Sequence, residues 1–570
     1  MRLSTLSLVL LLDCVSHATS LKVQTGPWQD IALERQAHRD RSIAAVSPPI
    51  PSIKNASKLP LNVLNTARSM LTPRETKITE MGSMELLEEM ANGGLTAVEV
   101  TNAFLRRAGV AQKLVNCVVE LMPETALSRA RFLDEYYRKN KKTIGPLHGL
   151  PISVKEHVGI KGLDQNAGVA GWVGNDAPDD AQTLKALYSA GGIFFARTTL
   201  PQTIMHLETR SNLFGTTVNP FNRNLTCGGS SGGEGALLGI RGSSLGVGTD
   251  IGGSIRSPSA NNGIYGLKPT AHRLPLGGIM ATMGGEEQII PVIGPMSTTL
   301  EPLSLFMSVV LGSKPWLKDP RLIPFPWRTE LNFENKKIKV GVMRWDGIVM
   351  PHPPVTRALE QVVAKLCEHK DKFEIIEWEE TRAKKAWDII SSLYFGDGGA
   401  EEYAAMALTG EPVLPMSKWI LTQPGVPAIP GHTISKVWNL TLEREIFRAQ
   451  YAAKWIAADI DVLLMPVGPG VAPRLETAKY WGYTSLFNLL DYPAAVFPVD
   501  KVSEKDNGVW EYEPTGEKDK ENAMLWDPDY YKDAPISLQL AGRRFDDEKV
   551  LEALAIMKKT IGLPFVDTTK

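Results

Sequence analysis

Three side chains with the chemistry for acyl transfer lie in, or shortly before, a segment rich in glycine and serine. Lys155 follows the apolar run Leu150–Val154, and Ser230 and Ser254 belong to the segment Cys227–Ser257. A serine hydroxyl becomes a nucleophile when a neighbouring base removes its proton. A lysine can be that base if burial keeps its amine neutral, because desolvation lowers the pKa of an amine. These residue types supply a nucleophile, a second hydroxyl and a base without a histidine.

Three other interpretations of the Gly/Ser segment are weaker. A flexible linker would be solvated, but this segment carries apolar residues throughout: Ala236, Leu237, Leu238, Ile240, Leu245, Val247 and Ile251. A phosphate-binding loop needs a lysine followed by Ser or Thr after its second glycine, where this chain has Glu234. A nucleophile elbow fits Gly-x-Ser-x-Gly around Ser230 or Ser231, but it also needs a downstream acid and histidine. The downstream histidines stand in no such context: His272, His352, His369 and His432.

Two contiguous stretches identify a family. GGSSGGEGALLGIRGSSLGVGTDIGGSIRSPSA with the following NNGIYGLKPT resembles the signature of the amidase signature family, and the upstream LHGLPISVKEHV supplies the lysine of that signature. Further stretches resemble the acetamidase-type general amidases of filamentous fungi: LTAVEVTNAFLRRA, PVGPGVA, FNLLDYPAAVFPV and APISLQLAGRRFDDEKVLEAL. The similarity runs from about Trp28 to Pro564.

The resemblance implies a role for each site residue. Ser254 is the nucleophile, Ser230 the bridging serine and Lys155 the base, so that protons pass from Ser254 to Ser230 to Lys155. The backbone amides of the positions that match Ile251, Gly252, Gly253 and Ser254 form the oxyanion hole in this family. The implied reaction is hydrolysis of a carboxylic amide to the acid plus ammonia or an amine, through an acyl-serine intermediate.

Other polar residues near these positions are assigned structural roles. Asp250 and Arg256 are expected to fix the loop through charge-assisted hydrogen bonds. His157 could line a substrate channel or cap a turn, and we favour the turn. Cys227 is expected to be a small packed residue. The chain shows no HExxH motif or comparable ligand cluster, so we expect no metal and no cofactor.

Strand and helix patterns alternate along the chain. Short apolar strands are predicted near Leu150–Val154, Gly191–Thr198 and Ile338–Met343, with three more at Val462–Met465, Ala494–Val499 and Ile536–Leu540. Helices are predicted at Met84–Ala91, from a capping box at Thr96 to about Gln112, at Gln182–Ser189 and at Asp547–Lys559. The pattern predicts an α/β fold with a central mixed β-sheet flanked by helices in one large domain. We divide the chain into a leader 1–20, an extended and helical arm 21–75 and an amidase domain 76–568 with its signature core at about 148–270. The charged stretch Lys501–Asn522 is expected to be a solvated insertion.

Composition limits the partners. The formal net charge of the 570-residue chain is −1, so a nucleic-acid partner is not expected, because phosphate binding requires a basic footprint. No apolar run approaches the roughly 20 residues of a membrane-spanning helix. The expected partner is a small-molecule amide, and a homodimer is left open.

The first 20 residues resemble a secretory signal peptide. Arg2 precedes the apolar run Leu3–Leu12, and cleavage would follow Ser20. Asp13 weakens the pattern, and a frayed cytosolic N-terminus is the alternative. We therefore expect a secreted or secretory-pathway protein if the leader is real, and otherwise a cytoplasmic one.

Glycosylation and disulfide formation depend on that compartment. Three glycosylation sequons begin at Asn55, Asn224 and Asn439. Cleavage of the leader would leave an odd number of cysteines without CxxC spacing, which argues against a disulfide framework. These are Cys117, Cys227 and Cys367.

Two functions compete with amide hydrolysis by this chain alone. A transamidase subunit would share the signature but would pass ammonia to a charged tRNA with the help of partners. A secreted amidase-like binding protein would lack catalysis. The three candidate catalytic residues and the missing basic patch favour an amidase, while its substrate is not specified by the sequence.

Overall fold

A single mixed β-sheet runs through the computed structural model, which describes residues 22, 24, 26–53, 58–329, 333 and 336–569. The strands in chain order are β1 Val118–Leu121, β2 Pro151–Lys155, β3 Ile193–Thr198, β4 Arg210–Ser211, β5 Gly215–Thr216, β6 Leu245–Asp250, β7 Tyr265–Lys268, β8 Val292–Ser297, β9 Ile338–Val342, β10 Phe373–Glu377, β11 Val462–Pro466, β12 Ala494–Lys501 and β13 Pro535–Ala541. Eleven of them form the sheet in the order β1-β3-β2-β6-β8-β7-β12-β13-β11-β9-β10, and β4 pairs with β5 alone.

Parallel strands occur near both ends of the sheet. Strands β3, β2 and β6 are parallel to one another, as are β11, β9 and β10, and the strands between β6 and β11 pair antiparallel. Every residue of β2, β6 and β13 is buried. Strands covered on both faces need continuous apolar runs rather than alternation, which explains the pattern seen in the sequence.

Helices cover the sheet. They are α1 Trp28–Ala44, α2 Leu64–Ser69, α3 Pro73–Glu80, α4 Ser83–Ala91, α5 Ala97–Val115, α6 Pro123–Asn140, α7 Gln182–Ser189, α8 Gly232–Gly239, α9 Arg256–Asn261, α10 Glu301–Gly312, α11 Pro353–Cys367, α12 Ala383–Tyr394, α13 Ala400–Ala407, α14 Pro415–Leu421, α15 Ile434–Ala458, α16 Gly482–Leu490, α17 Glu517–Leu525 and α18 Asp547–Ile561. The predicted α/β fold with one central mixed sheet flanked by helices is confirmed. Among the described helices, none is both long and apolar enough to cross a bilayer.

Two local expectations need correction. Thr96 accepts a hydrogen bond from the Glu99 N–H as predicted, but the Glu99 carboxylate accepts from Arg74 instead of closing a capping box. The stretch Lys501–Asn522 is not simply a solvated insertion, because it contains the first turns of α17 and the fully buried Asp519. That carboxylate accepts the Met350 N–H and so fixes the segment to the fold. The predicted leader and the sequon at Asn55 lie outside the described residues.

The signature segment lies where two parallel strands end. Strand β2 pairs with β6 in the register Ile152↔Leu245 to Val154↔Val247, so both strands finish at the same edge of the sheet. Lys155 closes β2, and Thr249 and Asp250 close β6. Ligand sites in open α/β sheets are found at the carboxyl ends of parallel strands.

Candidate active site

Lys155 is completely buried at the end of β2. Its Nζ lies 2.7 Å from Ser230 Oγ and 2.9 Å from Thr249 Oγ1. Ser230 is 75 residues further along the chain, and its own side chain is also buried. The structure therefore brings together two of the three predicted catalytic side chains at hydrogen-bond distance, in a place that solvent does not reach.

The surroundings of Lys155 act on its pKa in both directions. Burial lowers the pKa well below its ordinary value, while the nearby acidic side chains of Asp250, Glu234 and Glu156 oppose that effect in their ionised forms. The loss of hydration outweighs the three acidic neighbours, because an ammonium ion loses its water shell completely at this depth. The amine can therefore be neutral and accept a proton, as a general base requires.

Ser230 lies two residues before α8, which begins at Gly232. The Gly229–Ser230 peptide bond is cis. A Cβ on Gly229 would lie 2.3 Å from the Glu208 carbonyl oxygen, so only glycine fits there. The neighbouring Ser231 has a structural role, because its hydroxyl donates to the Thr249 carbonyl and accepts from the Thr249 N–H, each at 3.2 Å. Ser231 ties this turn to β6.

The loop Ile251–Ser254 is held by its carbonyl oxygens. The Ile251 oxygen accepts from Tyr394 Oη at 2.9 Å and the Gly252 oxygen from Thr484 Oγ1 at 2.7 Å. The Gly253 and Ser254 oxygens accept from the backbone N–H groups of Ser257 at 2.7 Å and Ser231 at 3.0 Å, respectively. Four consecutive carbonyl oxygens thus accept hydrogen bonds from other parts of the protein. These bonds fix the orientation of the peptide groups and therefore the direction of their N–H bonds.

The amides of that loop differ in what they bind. The Gly253 N–H donates to Asp250 Oδ1 at 2.9 Å. Within the described part of the chain, the N–H groups of Ile251, Gly252 and Ser254 donate to no other protein atom. Backbone donors of this kind can bind a developing oxyanion. Three of the four amides are therefore available for a ligand, and the Gly253 amide is engaged inside the loop.

Asp250 and Arg256 form a buried, two-pronged ion pair, with Arg256 Nη2 at 3.0 Å from Oδ1 and Nε at 3.1 Å from Oδ2. Asn488 Nδ2 also donates to Asp250 Oδ1 at 2.9 Å. Burial alone would raise the pKa of Asp250, but the Arg256 charge and these hydrogen bonds hold it at about 2. The Asp250 carboxylate accepts hydrogen bonds from the N–H groups of Gly253 and Ile255. These bonds fix the backbone on both sides of Ser254.

A second buried acid, Glu234, lies behind Lys155 and is held by hydroxyl groups. Ser243 Oγ donates to the Leu245 carbonyl at 2.9 Å, and Ser153 Oγ donates to Ser243 Oγ at 2.9 Å. Since Ser153 has one proton, its 2.5 Å contact with Glu234 Oε2 requires the carboxyl group to donate. Burial raises the pKa of Glu234 to about 8, although the hydrogen bond that Thr198 donates to Oε1 lowers it. Glu234 is therefore protonated at neutral pH.

Three residues of the site were not singled out by the sequence, because nothing in their local pattern marks them. Thr249 lies within the Gly/Ser segment and contacts the Lys155 amine directly. Tyr394 and Thr484 lie on α12 and α16, more than a hundred residues beyond the signature, and hold the loop carbonyls. His157 lies in the turn closed by the Val158 N–H and the Lys155 carbonyl, and its ring is buried between Thr249 and the Met280 carbonyl.

Other sequence candidates lie elsewhere or are unreactive. Burial raises the pKa of the Cys227 thiol to about 12, so this residue is a packed thiol rather than a thiolate nucleophile. His352 Nε2 contacts the Asn522 carbonyl and His432 Nε2 the Ser392 carbonyl, so neither supports a nucleophile elbow at Ser230 or Ser231. Within the described ranges, no three His, Cys, Asp or Glu side chains are grouped so that they could hold a metal ion.

A cavity of about 480 Å³ adjoins the loop. Its wall includes Ser257 and Thr484, which hold the Gly253 and Gly252 carbonyls, and also Trp419. Trp419 packs against Trp481. The Trp481 ring is close to Gly252, since a Cβ added to Gly252 would lie 3.2 Å from it. The volume falls in the range of sites that take drug-sized ligands.

Comparisons with known proteins identify the family of this chain. The Amidase family model matches residues 99–551. An acetamidase of Emericella nidulans is 38% identical over 554 residues, which cover 94% of this chain and 98% of that protein. An acetamidase of Aspergillus oryzae is 36% identical over 555 residues, covering 94% of this chain and 99% of that protein. Among solved structures, a fatty acid amide hydrolase superposes with a TM-score of 0.88 and 32% identity, covering 98% of this chain and 100% of that one. The chain belongs to the amidase family and is a hydrolase that acts on amides.

Proposed function

We propose that the protein hydrolyses a carboxylic amide through an acyl-enzyme on Ser254, with Ser230 and Lys155 as the proton relay. The observation that carries this proposal is the 2.7 Å contact between the buried Lys155 amine and the Ser230 hydroxyl. Ser231, next to Ser230, donates its N–H to the Ser254 carbonyl at 3.0 Å, so the two serine turns are joined directly. A hydroxyl between a neutral amine and a nucleophile can carry a proton in either direction.

The proposed reaction conserves its protons within the relay. Ser254 Oγ attacks the amide carbonyl carbon while its proton passes to Ser230 Oγ and the Ser230 proton passes to Lys155 Nζ. The carbon–nitrogen bond of the tetrahedral intermediate then breaks, and the same relay runs backwards to protonate the departing nitrogen. Water attacks the acyl-Ser254 ester with Lys155 again as the base, which releases the acid and restores the serine.

The oxyanion is bound by backbone N–H groups of the Ile251–Ser254 loop. We assign the amides of Ile251, Gly252 and Ser254 to this role, since the Gly253 amide binds Asp250. Gly253 was predicted to supply an oxyanion donor, but we now assign it a conformational role only. Its φ of 131° is a conformation that glycine adopts readily, and a Cβ at this position would lie 2.5 Å from Thr484 Oγ1. Each such donor contributes about 10²–10³-fold to the rate in a well-formed oxyanion hole.

The decisive experiment combines turnover with active-site labelling. Purified wild-type protein should hydrolyse at least one member of an amide panel and should react with a fluorophosphonate at Ser254. Ser254→Ala should abolish both, and Lys155→Ala should lower turnover by several orders of magnitude. His432→Ala is the control and should change neither, because the His432 ring hydrogen-bonds to the Ser392 carbonyl and not to a residue of the relay. A Ser254→Ala protein with wild-type turnover would contradict the proposal.

The same experiment separates the competing functions. A transamidase subunit would show no turnover of a free amide by the purified chain alone. A non-catalytic binding protein would also leave the fluorophosphonate unreacted. The panel should include short aliphatic, aromatic and long-chain amides, because the adjoining cavity of about 480 Å³ is large compared with the smallest of these.

A further inference from the structure

We propose that His157 is a positioning residue that sets the direction of the hydrogen bonds around Lys155, so that the lone pair of the neutral amine is kept for Ser230. The inference rests on the proposed relay and adds a residue to it. It follows from assigning the protons in a row of four hydrogen bonds. The row runs from the Met280 carbonyl through the side chains of His157, Thr249 and Lys155 to the Ser230 hydroxyl. Each contact in the row is short, and each participating side chain is buried.

The first contact fixes the tautomer of His157. Its Nδ1 lies 2.7 Å from the Met280 carbonyl oxygen, which can only accept, so Nδ1 carries a proton. Burial lowers the pKa of His157 well below its ordinary value, so the ring is neutral. A neutral imidazole has one N–H. The other nitrogen, Nε2, is therefore an acceptor.

The next contact fixes the Thr249 hydroxyl. Nε2 of His157 lies 3.0 Å from Thr249 Oγ1, and because Nε2 accepts, the single Thr249 proton points to the histidine. Thr249 can then only accept from Lys155, whose Nζ lies 2.9 Å away. One N–H of the amine is therefore directed to Thr249.

The consequence reaches the catalytic base. Ser230 and Thr249 are the hydrogen-bond partners of Lys155 Nζ among the described residues. Since Thr249 cannot donate, the one lone pair of the amine is available to the Ser230 hydroxyl. Without His157, the threonine could rotate its proton onto Nζ and compete with Ser230 for that lone pair. The acidic side chains around the amine do not hydrogen-bond to it: Asp250, Glu234 and Glu156 affect its pKa without taking part in the row of contacts.

Kinetics of four variants test the inference. His157→Phe removes the acceptor and should lower kcat about tenfold with KM within twofold, since one misdirected hydrogen bond affects the proton transfer and not substrate binding. His157→Gln offers an amide oxygen to Thr249 and should recover most of the loss. Thr249→Val should also lower kcat, and the double variant His157→Phe/Thr249→Val should be no slower than Thr249→Val alone. His432→Phe is the matched control and should keep wild-type kinetics.

Additivity decides between the alternatives. If the two single losses multiply in the double variant, His157 does not act through Thr249 and the inference is wrong. An unchanged kcat in His157→Phe would overturn it as well. If His157→Phe does not fold, the comparison of His157→Gln with Thr249→Val and the spectroscopic test below still decide.

The hydrogen-bond direction can be read without any substrate. In protein labelled with ¹⁵N-histidine, the resonances of His157 are identified by their loss in His157→Gln. They should report a neutral ring protonated at Nδ1 between pH 6 and 9. A ring protonated at Nε2, or at both nitrogens, would overturn the inference. Because this measurement needs no turnover, its failure is distinct from a failure of the proposed amide hydrolysis, which Ser254→Ala tests.

Discussion

The Tyr394 hydroxyl donates a 2.9 Å hydrogen bond to the Ile251 carbonyl oxygen, across 143 residues of sequence. Tyr394 ends α12, and Ile251 begins the loop that carries Ser254. The bond fixes the peptide between Ile251 and Gly252, whose N–H is one of the available oxyanion donors. A side chain far from the signature therefore sets the orientation of an amide that we propose as an oxyanion donor.

Tyr394→Phe should loosen that peptide. We expect a loss of about 1 kcal/mol in the free energy of unfolding, as for one buried hydrogen bond. The kcat should fall about tenfold, because an oxyanion donor that points away from its target forfeits part of its contribution. Tyr483→Phe is the control, because Tyr483 Oη donates at 2.7 Å to the Val349 carbonyl and accepts the Asp346 N–H at 3.3 Å, both outside the loop. It should lose similar stability and keep kcat; equal kcat losses in both variants would contradict the assignment.

The pH dependence of turnover should report the neutral amine of Lys155. The pKa of Lys155 is lowered by burial, so kcat/KM should rise with pH through one deprotonation and reach its plateau below the ordinary lysine range of about 10.4. Lys155→Arg should be inactive at every pH, since a guanidinium does not release its proton. Rate profiles from pH 5 to 10 for both proteins test this. Turnover by Lys155→Arg above about a tenth of the wild-type rate would show that no neutral base is needed here.

Glu234 should make the fold less stable as pH rises. Its pKa is raised from 4.5 in the unfolded chain to about 8 by burial, so the native state holds one proton more between these values. The stability contributed by the protonated form is complete below about pH 4.5 and is lost as pH rises through about 8. Relative to Glu234→Gln, the wild-type free energy of unfolding should fall by about 1.4 kcal/mol per pH unit between pH 5 and 7. Urea titrations at three pH values measure this difference, with the exposed Glu85→Gln as the control. Parallel curves for wild type and Glu234→Gln would mean that the carboxyl group is ionised.

Asp250→Asn should destabilise the protein strongly. It leaves the fully buried Arg256 guanidinium without its counter-charge, and breaking a buried pair costs about 3–5 kcal/mol. The control is Asp388→Asn in the exposed pair with Lys384, where we expect no resolvable change. Denaturant midpoints compare the two variants. A loss at position 250 as small as that at 388 would indicate that the loop is held by other contacts.

The catalytic candidates were within reach of the sequence because the signature is contiguous. Lys155 was predicted at the end of an apolar strand, and it closes β2. The pairing of Asp250 with Arg256 was also predicted, since the two residues lie six positions apart in one turn. Local spacing sufficed for both, because the backbone between the partners is short and its geometry leaves few alternatives.

Other features of the site could not be predicted, because they depend on contacts between segments that are distant in the sequence. The engagement of the Gly253 amide by Asp250 depends on how the loop turns, and glycine permits several such turns. Tyr394 and Thr484 reach the loop only because α12 and α16 pack beside it. The stretch Lys501–Asn522 has the composition of a solvated segment, yet its Asp519 is buried against the Met350 amide. Composition reports average exposure and not the partner that a particular carboxylate finds.

The sequence by itself determined the family, the α/β sheet and the identity of the candidate nucleophile, bridging serine and base. These are properties of residue types, apolar runs and short spacings, which are read along the chain. Only the tertiary structure decided the protonation of the site: that Glu234 carries a proton, that Lys155 can lack one, and that His157 turns Thr249 toward itself. The position of a proton depends on which donors and acceptors are in contact inside the protein. Those contacts form because strands and helices that are distant in sequence pack together.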